Sequence, residues 1–141
     1  MSGGPCDGGW RYALVVFTDA TELWWLRLLR RGFRHCFVAL SMPSGWVVVD
    51  PLSHRTSVAY FPGSQEFDLA GWYRQHGMAV VAVENHSPYR RCAPPLPYSC
   101  VESVKRILGI RAAFVLTPWQ LYCHLNKKRT FAIDGVGKIG I

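Results

Sequence analysis

The apolar residues of this chain fall mostly in short runs rich in β-branched side chains, and these runs limit it to a fold built around a sheet. A short apolar run bounded by polar or turn residues is typical of a buried strand. We predict strands at 12–17, 33–41, 46–50, 58–61 and 78–84. The second and third of these flank Pro43, Ser44 and Gly45, turn residues that predict an antiparallel hairpin.

Helical patterns separate these runs. Asp19 and Glu22 have the spacing of a capping box and Gly32 is a terminator, which predicts a helix from about Ala20 to Arg31. A short helix is expected at 67–75, ended by Gly77, and a last one at 117–125, opened by a Thr-Pro pair.

The most informative predicted helix follows a segment too rich in proline to be regular. Residues 86–98 contain four prolines and should form a rigid surface connection. Ser99 can then cap a helix at 100–109, with Glu102 in its first turn. Its apolar stripe is formed by Val101, Val104, Ile107 and Leu108.

The predicted elements make one α+β domain, an antiparallel sheet of four to six strands with the helix at 100–109 packed against it. The length of 141 residues suits a single core. We expect a Gly-rich flexible leader at 1–9, the folded domain at 10–126, and a basic, Gly-containing extended arm at 127–141.

Cys100 is the strongest candidate for a chemical role. As the first residue of a helix it would feel the positive end of the helix dipole and nearby unpaired amides, both of which stabilise a thiolate. The same amides can hold an oxyanion, and Tyr98 just before them is a candidate supporting group. A buried cysteine acting only as a small apolar residue is the alternative.

A thiolate needs a base, and His35 lies inside an otherwise apolar strand where a titratable ring needs a reason to be present. Asp50 ends the partner strand of the hairpin and could orient the imidazole, with Glu84 and His86 as reserve candidates for that role. Side chains alternate along a strand, so we expect Cys36 to face away from His35 and to belong to the core.

The order of these residues resembles a known family. A strand, a helix, Arg34-His35 in a strand, a Val-Val-Asp strand and Tyr98-Ser99-Cys100 opening a helix are similar to the circularly permuted NlpC-type papain-like group, which includes the lecithin:retinol acyltransferase-like enzymes. The resemblance covers roughly 12–125. It implies a permuted papain-like fold, with His35, Asp50 and Cys100 in the catalytic positions.

Two departures from the family pattern are visible. The first strand lacks the usual Gly-Asp start, and the residue after His35 is Cys rather than Val or Ile, a change that we expect to leave the chemistry untouched. The stretch 117–122 looks like that of small phage-encoded relatives, which implies a viral origin and a place in the virion.

The reaction that we expect is acyl transfer from an amide, ester or thioester to Cys100, with water or a second nucleophile releasing the acyl group. A cysteine peptidase or amidase acting on cell-wall peptide bonds such as those of peptidoglycan is the favoured form, and an acyltransferase is the other. No cofactor is required. A zinc site is disfavoured because no Cys or His pair has finger-like spacing.

Charge supports a different class of function. Sixteen Lys and Arg against nine Asp and Glu give a net charge of +7, which favours anionic partners. The alternative hypothesis is therefore a non-catalytic structural or binding module that contacts nucleic acid or other virion proteins. Five cysteines without regular spacing, and no signal-like or membrane-spanning run, favour synthesis in the cytoplasm.

Overall fold

The computed structural model describes residues 9–20, 28–52, 54–63, 67–85 and 99–135, with side chains described as far as 128. These residues form five strands: β1 (Tyr12–Thr18), β2 (His35–Met42), β3 (Gly45–Pro51), β4 (Thr56–Pro62) and β5 (Ala79–Glu84). They also form three helices: α1 (Leu69–Gln75), α2 (Cys100–Leu108) and α3 (Pro118–Gly135). Every predicted strand is present within a few residues of its expected bounds.

The five strands form one sheet in the order β4-β3-β2-β1-β5. Each neighbouring pair is antiparallel. The α+β class and the antiparallel sheet are therefore confirmed. The hairpin between β2 and β3 turns through Pro43 and Ser44 as expected, and Gly45 is required there because a Cβ at this position would lie 2.3 Å from the Phe61 carbonyl oxygen.

The sheet is covered on both faces, which explains why the central strands have continuous apolar runs instead of alternating ones. In β1 all five residues from Ala13 to Phe17 are buried. One face of the sheet, called here the α2 face, packs on α2 and α3. The core on this side is formed by Val15, Phe17, Cys36 and Val38 of the sheet and by Val101, Val104, Leu121 and Leu125 of the two helices. The opposite face, called the α1 face, contains Leu14, Val16, Phe37, Ala39, Trp46, Tyr73 and Val80.

Helix α2 contains a buried ion pair as well as its apolar stripe. Lys105 and Glu102 are 2% and 5% exposed, and Lys105 Nζ lies 2.8 Å from Glu102 Oε2. Lys105 also donates to the Ala112 carbonyl oxygen at 2.9 Å, and Arg106 pairs with Glu102 at 3.2 Å. The bond to Ala112 fixes the segment after α2 against the helix that carries Cys100.

The C-terminal end of the chain differs from expectation where the structure describes it. Residues 127–135 continue α3, so the prediction of an extended arm is wrong for them: their sequence lacks proline, and α3 runs on until Gly135. The leader at 1–8, residues 136–141 and most of the predicted helix at 20–31 lie outside the described residues. Among the helices described, none is both long enough and apolar enough to span a bilayer.

Candidate active site

Cys100 is the first residue of α2, as predicted. Ser99 precedes it in extended conformation and its hydroxyl accepts a hydrogen bond from the Glu102 N–H at 3.2 Å, while Gly109 ends the helix in the left-handed region with φ 68°. The cap begins the helix at a defined residue. Because Val101 and Val104 are buried against the sheet, the half-buried Cys100 sits where the helix N-terminus meets β2.

His35 and Asp50 are brought together across the hairpin. His35 is the first residue of β2, and its Nε2 lies 2.6 Å from Oδ1 of Asp50 near the end of β3. The two side chains are 12% and 33% exposed, so the contact is partly shielded from water. The predicted neighbourhood of His35 and Asp50 is therefore present in the structure.

The sheet opens between β2 and β3 beside these residues. The described pairing of the two strands runs from Met42↔Gly45 only as far as Val38↔Val49, so the first three residues of β2 pair with β1 but have no β3 partner. Cys100 occupies this opening and forms hydrogen bonds with both His35 and Cys36. Since Asp50 engages Nε2, Nδ1 is the ring nitrogen left to bond the sulfur.

The environment of Cys100 strongly favours its thiolate. The hydrogen bond from the Cys36 thiol is the largest influence on the pKa of Cys100 and lowers it, and burial, the next largest, raises it. Hydrogen bonds from His35 and from the Cys36 backbone, and then the His35 charge, also lower it. Together they lower the pKa of Cys100 from 9.0 to about 5. The sulfur is therefore ionised at neutral pH.

The imidazole of His35 responds to the same contacts in the opposite sense. Burial would lower its pKa, but the hydrogen bonds to Asp50 and Cys100 and the charges of both raise the pKa of His35 from 6.5 to about 9. Between about pH 5 and pH 9 the pair is thus a thiolate beside an imidazolium.

Comparisons of the chain with protein-family models, with curated proteins and with solved structures found no match. What the chain does must therefore be inferred from its own residues and their geometry.

The expectation that Cys36 stands apart from the site is wrong. Its side chain is fully buried in the core of the α2 face, as predicted, yet its thiol contacts the Cys100 sulfur. Strand alternation does place Cys36 and His35 on opposite faces. His35, however, is at the strand end, where the missing β3 partner lets its ring reach the helix that lies on the Cys36 side.

Tyr73 is a second neighbour that the sequence did not identify. It lies on α1, packs against Phe37 with ring centroids 5.4 Å apart, and is close to Asp50. Burial and then the Asp50 charge raise the pKa of its hydroxyl. Tyr73 therefore lies within electrostatic range of Asp50 on the α1 face.

The other candidate residues do not join the site in the described structure. Glu84 pairs with Tyr12, whereas His35 pairs with Thr18, so the two lie at opposite ends of β1 and about 20 Å apart. Glu84 is thus excluded as the residue that orients His35. Tyr98 and His86 lie outside the described residues.

Metal coordination receives no support from the part of the chain that the structure describes. No group of three or more His, Cys, Asp or Glu side chains there is arranged to hold a metal ion. The contacts at Cys100 join a thiol, an imidazole and a carboxylate in sequence.

Proposed function

We propose that this protein is a cysteine hydrolase that works through an acyl-enzyme on Cys100. One observation carries the proposal: Cys100, His35 and Asp50 form a continuous chain of hydrogen bonds at the N-terminus of α2. A nucleophile bonded to a base, and a base bonded to a carboxylate, is the arrangement that triad chemistry requires. The same residues support a permuted papain-like form of the α+β fold.

The reaction follows from the charge states of the site. The Cys100 thiolate attacks the carbonyl carbon, and the electron pair of the C=O bond moves to oxygen. The N–H groups in the first turn of α2 have no partner within the helix, and that of Cys100 is suited to hold the resulting oxyanion. His35 then gives its proton to the leaving amine, and the C–N bond breaks to leave a thioester on Cys100.

Water completes the cycle. Neutral His35 takes a proton from water as it attacks the thioester, and the acyl group leaves as a carboxylic acid while sulfur departs as thiolate. Asp50 accepts from Nε2 throughout, so the ring keeps the orientation in which Nδ1 faces the sulfur.

Among acyl substrates we propose peptide or amide bonds of an anionic polymer, with bacterial cell-wall peptides as the leading class. The net charge of +7 raises the local concentration of such polymers near the protein. The imidazolium is suited to the poor amine leaving group of an amide, which must be protonated before it departs.

A direct test is to trap the acyl-enzyme with p-nitrophenyl acetate and to locate the acetyl group by peptide mass spectrometry. We expect an adduct on Cys100 in the wild type and in Cys123→Ala, a matched control at another half-buried cysteine. Cys100→Ala and His35→Ala should give none. Purified peptidoglycan should then release new amino groups with the wild type and Cys123→Ala but not with Cys100→Ala or His35→Ala. Acetylation that is equal in His35→Ala would overturn the mechanism.

The alternative function, a basic module without catalysis, is separated by the same variants. Such a module would bind DNA in a salt-dependent manner, equally well in wild type and Cys100→Ala, and would form no acetyl adduct. That pair of results would replace the hydrolase proposal.

A further inference from the structure

Two donors from one residue meet the sulfur of Cys100. The thiol of Cys36 and its backbone N–H both hydrogen-bond to that atom. The Cys36 N–H can donate to Cys100 because no described β3 residue pairs with Cys36. Its thiol can donate because the Cys36 side chain lies on the α2 face of the sheet. The donors are fixed, since Cys36 is fully buried among Phe17, Val38 and Val104.

We propose that Cys36 is a positioning residue for the nucleophile, whose thiol donates a hydrogen bond that stabilises the Cys100 thiolate whenever sulfur carries the negative charge. This role rests on the proposed function of Cys100. Val or Ile at this position would also be apolar but would carry no donor.

The thiol of Cys36 is suited to remain a donor. Its hydrogen bond to Cys100, and next its burial, raise its pKa well above the ordinary value, so it keeps its proton while Cys100 loses its own. Two adjacent thiols therefore divide their roles by environment: the buried one stays neutral and the one at the helix terminus ionises.

The bond acts again in deacylation. Neutral His35 takes a proton from the attacking water and is an imidazolium by the time sulfur departs, so the Cys36 donors act beside it. When the thioester is hydrolysed the C–S bond breaks and its electron pair goes to sulfur, where the Cys36 thiol and N–H are already in place. We therefore expect Cys36 to assist deacylation as well as the resting thiolate.

The test compares Cys36→Ala with Cys36→Ser, two side chains of similar size of which only Ser has a donor. The pKa of Cys100 is read from the ultraviolet absorbance of its thiolate against pH, with Cys100→Ala subtracted. We expect the midpoint to rise by about one pH unit in Cys36→Ala and to stay near the wild-type value in Cys36→Ser. Deacylation of the acetyl-enzyme should slow about 10-fold in Cys36→Ala but not in Cys36→Ser.

Cys36→Val replaces Cys36→Ala in this comparison if Ala destabilises the core, because Val fills the space and suits a strand. It should behave as Cys36→Ala does. Equal midpoints in wild type, Cys36→Ala and Cys36→Val would overturn the role of Cys36 while leaving Cys100 as the nucleophile. A wild-type midpoint near the ordinary value of 9.0 would instead overturn both this role and the proposed function.

Discussion

Lowering the pH should separate Cys100 from ordinary thiols, because its pKa is lowered from 9.0 to about 5. At pH 6 about nine tenths of Cys100 is thiolate, against about one thousandth of a thiol with the ordinary pKa, a ratio of roughly 900. The reagent that we would use is dipyridyl disulfide, which reacts with the thiolate. Cys100 should therefore be labelled faster than other cysteines under acidic conditions.

A less basic thiolate is also a weaker nucleophile, and this reduces the expected difference. With a Brønsted coefficient of about 0.45, a pKa lower by about four units costs roughly 60-fold in intrinsic reactivity. The net advantage of Cys100 is then roughly 15-fold at pH 6 and roughly twofold at pH 7. At pH 8 the order reverses, and Cys100 should react roughly fivefold more slowly than the ordinary thiol.

The assay follows labelling of each cysteine by peptide mass spectrometry over time. The reference is a blocked peptide spanning residues 98–106, which contains Cys100 alone, and Cys100→Ala gives the background. A crossing of the two rate profiles between about pH 7 and pH 8 is expected. The reasoning is refuted if Cys100 in the folded protein follows the peptide at every pH.

Three further changes have defined outcomes. Asp50→Ala removes a hydrogen bond that raises the pKa of His35. The alkaline limb of the pH–activity profile, expected near pH 9, should therefore move to lower pH, while the acid limb near pH 5 moves less. An unmoved alkaline limb would contradict the role of Asp50. Ser99→Ala should lower the free energy of unfolding by about 1 kcal/mol in urea denaturation, with Ser99→Asp close to wild type. Glu102→Ala leaves the buried Lys105 without its carboxylate and should cost about 3–5 kcal/mol in the same assay, whereas a loss below about 1 kcal/mol would show that water reaches Lys105.

The strands were predictable because a strand that is buried on both faces has an almost continuous run of apolar residues. The run 12–17 is apolar throughout since β1 lies at the centre of the covered sheet, and Pro43 to Gly45 indicated where the hairpin turns. The helix at Cys100 was predictable for a local reason too, because the Ser99 cap and the Gly109 terminator act within a few residues. His35 and Asp50 followed from the hairpin that joins their strands.

The contacts that tune the site were not predictable in the same way. Alternation along β2 correctly separated Cys36 from His35 but said nothing about where β3 stops pairing, and that opening is what lets both residues reach Cys100. Tyr73 comes from a distant helix on the other face. For Glu84, the sequence showed a strand end but not which end of the sheet it would occupy.

The measurement that tests the ion pair most directly is the protonation of His35, followed by NMR of its ring signals against pH in wild type and Cys100→Ala. We expect the wild-type ring to carry both protons at pH 7 and to lose one only near pH 9. In Cys100→Ala the midpoint should fall, because the thiolate that holds the second proton is gone. A ring that titrates near its ordinary value of 6.5 in both proteins would contradict the account.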